Sequence, residues 1–255
     1  MTCRPMRVIL LLLCVTVFSS SCATTSTISP QDKKKARAAR DLGEAYLREK
    51  QYTAALKELY KAEKLNPEDP TLHNDLGLVY MAKEKYKLAV THFEKAVKLK
   101  PDYSLAKNNL GSVYLALKEW DKAIAVLEPV TKDMLYATPH YPLSNLGWAY
   151  YNKGEYGKAR QYLEEALELK PDFAIAKLNL GRTYLATGRL HLALNLLEKL
   201  ASESPNNPVV LLELGKTYRL LGDYKNARLA LRGAIQFTED SNLALEASEE
   251  LRKLY

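Results

Sequence analysis

A Leu-Gly pair recurs along this chain at a nearly constant interval, and that recurrence limits its fold more than any other feature. The pairs are Leu42-Gly43, Leu76-Gly77, Leu110-Gly111, Leu146-Gly147, Leu180-Gly181 and Leu214-Gly215. Successive spacings are 34, 34, 36, 34 and 34 residues. Three residues after each glycine stands a tyrosine: Tyr46, Tyr80, Tyr114, Tyr150, Tyr184 and Tyr218. Nine further on comes an alanine, at Ala55, Ala89, Ala123, Ala159, Ala193 and Ala227, and four beyond that Leu59, Phe93, Leu127, Leu163, Leu197 or Leu231. Proline closes four of the units, at Pro67, Pro101, Pro171 and Pro205. A fixed period of this length marks an array of small units, each too small to bury its apolar face alone.

Each unit reads as two helices. Leu, Gly and Tyr at relative positions zero, one and four share one face of a first helix. The glycine lets a second helix approach closely, and the later alanines and leucines stripe that second helix. Gly154, Gly188 and Gly222 fall where the first helix should end. Each closing proline disfavours helix just before it, and Asp102, Asp172 and Asn206 are expected to cap the helix that follows. From Asn242 to Leu254 the sequence predicts a polar capping helix with Leu243, Leu245 and Ala247 on its inner side. Ten of the 17 tyrosines hold two repeat-specific positions, so they read as packing residues and not as a platform for stacking bases.

These residues resemble the tetratricopeptide repeat (TPR) family over about residues 36–241. The resemblance implies an all-α TPR superhelical solenoid of six helix-turn-helix repeats with a C-terminal capping helix. The units are 36–69, 70–103, 104–137, 140–173, 174–207 and 208–241, with 138–139 inserted and 242–255 as the cap. It also implies binding of protein partners, because first helices in this family line a groove that takes peptides or partner helices. The matching positions are Asn74, Asn108, Asn109, Asn145, Asn179, Trp148, Arg182, Lys216 and Arg219. Trp148 is the expected anchor. The asparagine amides suit a ligand's backbone and equally suit bracing of neighbouring helices. The Lys/Asn/Arg set by which some chaperone-binding relatives grip a carboxylate is not reproduced, since Leu178 and Leu212 stand in its rows.

The N-terminus carries a different signal. Arg4 and Arg7 precede an apolar run from Val8 to Phe18, then Ser19, Ser20, Ser21 and Cys22. A basic start, a short apolar core and small residues before a cut site make a secretory signal over 1–21. The run is shorter than the roughly 20 residues a membrane-spanning helix needs; a marginal anchor is the alternative. Small residues before Cys22 resemble the lipobox of bacterial lipoproteins, which implies cleavage there and acylation of Cys22. The only other cysteines, Cys3 and Cys14, lie inside the signal, so no internal disulfide is available to the mature chain. Residues 22–35, rich in Thr and Ser and then basic, read as a flexible tether.

Little else suggests chemistry. The formal charge of +7 comes from 37 basic and 30 acidic residues that mostly alternate along helices, the pattern of a solvated surface and not of a nucleic-acid patch. His73, His92, His140 and His191 show no metal-ligand spacing and read as surface residues. No nucleophile has its own base. The sequence therefore predicts a non-enzyme with no catalytic residue, metal, cofactor or small-molecule substrate.

The single 36-residue spacing marks an interruption at 128–142. Pro129 falls inside a second helix and is expected to kink or stop it. Leu135 replaces the closing proline, and Tyr136, Pro139 and Tyr141 predict a protruding aromatic loop. With the lipoprotein signal, the six repeats and the Leu135-Tyr136…Pro139 stretch, the chain resembles the type IV pilus biogenesis pilotins of the PilF/PilW kind. That implies a lipid anchor on the periplasmic face of the outer membrane and a secretin subunit as partner. The alternatives are a periplasmic adaptor for envelope assembly or peptidoglycan enzymes, and anchoring at the inner membrane.

Overall fold

The structure, a computed structural model, describes residues 28–254. The expected signal, Cys22 and the tether as far as residue 27 lie outside them. The described residues form thirteen helices and no strand: α1 (Pro30–Arg48), α2 (Tyr52–Leu65), α3 (Pro70–Ala82), α4 (Tyr86–Leu99), α5 (Ser104–Ala116), α6 (Trp120–Thr131), α7 (His140–Asn152), α8 (Tyr156–Leu169), α9 (Ala174–Ala186), α10 (Leu190–Glu203), α11 (Pro208–Leu220), α12 (Tyr224–Phe237) and α13 (Ser241–Arg252). None is long and apolar enough to cross a membrane.

Helices pair in chain order, α1 with α2 through α11 with α12, and α13 closes the end against α12 and α11. The Leu-Gly glycine makes each pair possible. A Cβ on Gly111 would stand 2.5 Å from the Leu127 side chain, and one on Gly147 would stand 2.4 Å from Leu163. The facing alanine and Leu/Phe of each second helix are wholly buried. Gly154, Gly188 and Gly222 end their helices with φ of 76°, 71° and 80°, and Lys50, Glu84 and Lys118 hold the same left-handed position in the first three pairs. The Glu155 N–H then reaches back to the Tyr150 carbonyl at 2.9 Å, which satisfies a terminal acceptor.

Each odd-numbered helix also touches the next odd-numbered one, whereas no two even-numbered helices meet among the described residues. This asymmetry curves the array and puts the first helices on its inner face.

Four local expectations are corrected. The folded array begins at Pro30, inside the stretch read as tether, because Ser29 caps α1 by accepting from the Asp32 N–H at 3.0 Å. Asp102, Asp172 and Asn206 cap nothing. The N–H of Tyr103 closes a turn onto the Lys100 carbonyl at 3.0 Å, and Phe173 and Asn207 do the same on Lys170 and Ser204. The helix therefore starts one residue later, with Tyr103, Phe173 and Asn207 as the caps. Pro129 does not stop α6, which runs on to Thr131 and buries Val130. In α13, Leu245 faces solvent and Glu250 turns inward, since residues two apart lie on nearly opposite sides of a helix.

Candidate functional site

On α5, α7 and α9 the positions five before, one before and two after the Leu-Gly leucine share a face, as spacings of four and three require. Those triplets are Leu105, Asn109 and Ser112; Tyr141, Asn145 and Trp148; Ile175, Asn179 and Arg182. The asparagines form a ladder between first helices. Asn109 Nδ2 donates to Asn74 Oδ1 at 2.9 Å. Asn145 Nδ2 donates to Ser112 Oγ at 3.0 Å and to Asn108 Oδ1 at 3.3 Å. Asn74, Asn108 and Asn179 are buried. These bonds tie neighbouring first helices through Asn74, Asn108, Asn109 and Asn145, and Asn179 takes part in none of them.

The cations of the later repeats are also engaged. Arg182 Nε is 2.9 Å from Glu213 Oε1, and Arg219 Nε is 2.8 Å from Glu250 Oε2. Lys216 Nζ bridges Glu213 at 3.4 Å and Glu246 at 2.7 Å. Burial presses Lys216 toward its neutral form, but the two carboxylates outweigh it and its pKa lies above the ordinary lysine value.

Trp148 is half-buried and lies parallel to Tyr151, with ring centroids 5.2 Å apart. The Arg182 guanidinium stands 5.3 Å over the indole, a cation–π distance. Beside this platform Leu105, Tyr141 and Ile175 are 43%, 42% and 56% exposed. They form an apolar row along the inner face, one helical turn before the asparagines. Leu105 and Ile175 were not singled out from the sequence. The signal was available, because every Leu-Gly pair has a residue five places earlier and these three are large and apolar.

The junction between α6 and α7 differs from the expected aromatic loop. Its exposed tip is Met134 and Leu135, which are 98% and 94% exposed, while Tyr136 is half-buried. Asp133 holds the turn by accepting from the Leu135 N–H at 3.0 Å. Pro139 is the N-cap of α7, and Tyr141 lies in its first turn against His140 and Phe173.

The repeat tyrosines have a structural role. Tyr114, Tyr150 and Tyr184 donate to Glu94, Glu128 and Glu164 at 2.8, 2.8 and 3.1 Å, so each first helix is tied to the preceding second helix. Burial and then the carboxylate push these phenols above the ordinary tyrosine range. Of the four histidines, His191 is exposed as expected, but His73 is wholly buried and meets His92. Two histidines 19 residues apart are brought together by packing that linear spacing does not reveal.

Sequence models of the tetratricopeptide repeat match residues 43–83, 77–118, 102–172, 144–208 and 188–248. The chain belongs to the tetratricopeptide repeat family. It is thus a protein-interaction scaffold in its architecture. Among solved structures it is similar to PilF of Pseudomonas aeruginosa, at 21% identity over 86% of this chain and 99% of that one, with a TM-score of 0.73. It is similar also to PilW, a widely conserved type IV pilus biogenesis factor, at 24% identity over 86% and 97%, with a TM-score of 0.75. A chain of the APC/C hetero-tetramer Cut9-Hcn1 aligns at 19% identity over 87% and 43%, with a TM-score of 0.76. At these identities the likeness is one of fold. No curated protein matches the sequence.

Proposed function

We propose that this chain is a lipid-anchored, non-catalytic scaffold that holds a segment of a protein partner on its inner face, and that it serves as a pilotin for an outer-membrane secretin in type IV pilus biogenesis. The observation that carries the reading is the exposed row Leu105, Tyr141 and Ile175 beside the Trp148 platform. Asn109, Ser112, Asn145 and Arg182 around it are already paired with other side chains, so what the face chiefly offers a partner is apolar area. Burying such area stabilises a complex by roughly 25 cal/mol per Å² before ordering costs. The near full-length correspondence with PilF and PilW supports the pilus assignment, and Ser19 to Cys22 supports the anchor. Ala23 follows the cysteine where many inner-membrane lipoproteins carry Asp, which favours the outer membrane.

Gene deletion tests the pilotin role. The expected result is loss of heat-resistant secretin multimers and of twitching motility; unchanged multimers would rule it out and leave a general envelope adaptor. Palmitate labelling is expected to disappear in Cys22→Ala, and labelling that survives the substitution refutes the anchor.

A further inference from the structure

Three side chains able to ligate a metal meet between the first two helix pairs: Glu63 on α2, His73 on α3 and His92 on α4. One ligand atom from each lies within 4.8 Å of the other two. His73 Nδ1 is 3.1 Å from His92 Nδ1 and 4.0 Å from Glu63 Oε1. The two ring centroids stand farther apart, at 5.4 Å, so the Nδ1 atoms are the facing edges of the rings. We propose that Glu63, His73 and His92 bind a divalent transition-metal ion of the zinc class and fasten the first repeat to the second.

The tautomer of His73 is the first reason. Its Nε2 is 2.8 Å from the Pro67 carbonyl oxygen. A carbonyl only accepts, so Nε2 carries the proton and Nδ1 presents a bare lone pair. Metal-ligating histidines are oriented in this way, with the far ring N–H given to a carbonyl or carboxylate. Burial, and after it the nearby Lys95 ammonium, hold His73 below the ordinary histidine pKa despite the Pro67 bond. Burial and the neighbouring His73 do the same for His92. Both shifts favour the neutral ring, the form that binds a metal.

Geometry is the second reason. Zinc–imidazole bonds of about 2.0–2.1 Å at the tetrahedral angle place two ligand nitrogens about 3.3 Å apart, close to the separation here. Glu63 completes a two-nitrogen, one-oxygen set after a small rotation, and the fourth position is left to water. Imidazole ligands suit zinc, copper and nickel, whereas calcium and magnesium prefer all-oxygen sites.

The third reason is that the repeat does not need these residues. At the matching slots of the four later interfaces stand Val97, Thr131, Leu167 and Ala201 for Glu63, Lys107, Leu143, Lys177 and Leu211 for His73, and Val126, Tyr162, Leu196 and Ala230 for His92. No later interface has a histidine or a carboxylate in any of the three slots, so the packing of the repeat does not call for two histidines and a glutamate.

The test uses the full-length chain, free of any histidine tag, stripped with a chelator and titrated with zinc chloride by calorimetry. One ion per chain is expected, with a dissociation constant tighter than about 10 µM and a zinc-dependent rise in Tm. His73 is wholly buried and its replacement endangers the fold, so His92→Gln and Glu63→Gln carry the test, each checked for helical content by circular dichroism. His92→Gln is expected to weaken binding by about a hundredfold and Glu63→Gln by about tenfold, since even outer-sphere partners of a metal are worth 10–100-fold. His191→Gln is expected to bind as the wild type does. Wild-type affinity in His92→Gln, or no saturable binding to the wild-type chain, overturns the proposal. In that case the two imidazoles share an ordinary N–H···N hydrogen bond.

Discussion

Asp75 occupies the position that Asn109, Asn145 and Asn179 hold in later repeats, and its surroundings suit an amide better than a charge. The residue is 5% exposed. Oδ1 accepts only a long bond of 3.5 Å from Asn74, and Oδ2 has no hydrogen-bond partner. Burial pushes its pKa up to about 7, against the pull of Asn74 and Arg40. A pKa raised by folding means that the native state holds the proton more tightly than the unfolded chain. The stability this confers is fully present below about pH 4 and is lost as pH rises through about 7. Asp75→Asn should therefore match the wild type near pH 4 and exceed it by roughly 2–4 kcal/mol at pH 8. Urea unfolding at both pH values measures this; a difference that does not vary with pH would mean the carboxylate charge is not its source. A second residue-scale expectation concerns Lys118, whose φ of 60° places a side chain where Gly154, Gly188 and Gly222 have none. Lys118→Gly should stabilise the fold by about 0.5–1 kcal/mol, because relief of left-handed strain exceeds the added freedom of the unfolded chain. Thermal unfolding reads it.

At the scale of the helix pair, the contact between the Leu-Gly glycine and the second helix leaves no spare volume. A methyl group at residue 111 would meet Cγ and Cδ2 of Leu127 at 2.5 Å, and Leu127 is wholly buried and cannot swing away. Gly111→Ala should cost about 1–3 kcal/mol by overpacking. Gly157→Ala in α8 has nothing within 4 Å and should instead be neutral or stabilise by up to about 1 kcal/mol. Opposite Tm shifts in the two variants would separate packing from helix propensity. The pairing was legible in the sequence because it depends on residues one to four places apart, repeated six times. The caps were not, because a turn across Pro101 and Asp102 delays α5 by one residue and no side-chain preference records that delay. Nor were the ion pairs of Arg182 with Glu213 and Arg219 with Glu250, since each partner lies 31 residues away. His73 and His92 escaped notice for the same reason, as three helices must pack before they meet. The row Leu105, Tyr141 and Ile175 was half-legible: its register is in the sequence, but its exposure depends on no other helix covering that face.

At the scale of the whole array, curvature places the first helices on the inner side, and their polar side chains are spent on holding that curvature. On the function proposed above, recognition falls to the apolar row and to Trp148. Trp148 serves both ends, since it rests on Tyr151 and under Arg182. Trp148→Ala should weaken partner binding by about 1–3 kcal/mol, with up to roughly 1 kcal/mol lost from the fold as the stacked contacts disappear. Leu105 and Ile175 separate the two effects because they touch the core less. The double variant Leu105→Asp, Ile175→Asp changes only half-exposed positions, so each substitution should alter stability by no more than about 0.5 kcal/mol. It sets two charges where a partner's apolar side chains must be desolvated, and an unpaired buried charge costs several kcal/mol. Returned to a deletion strain, the double variant should accumulate to the wild-type level yet fail to restore secretin multimers. Full restoration of multimers at equal abundance would show that the inner row is not the docking surface and would leave the Met134–Leu135 tip of the junction, the most exposed apolar pair in the array, as the place where a partner is held.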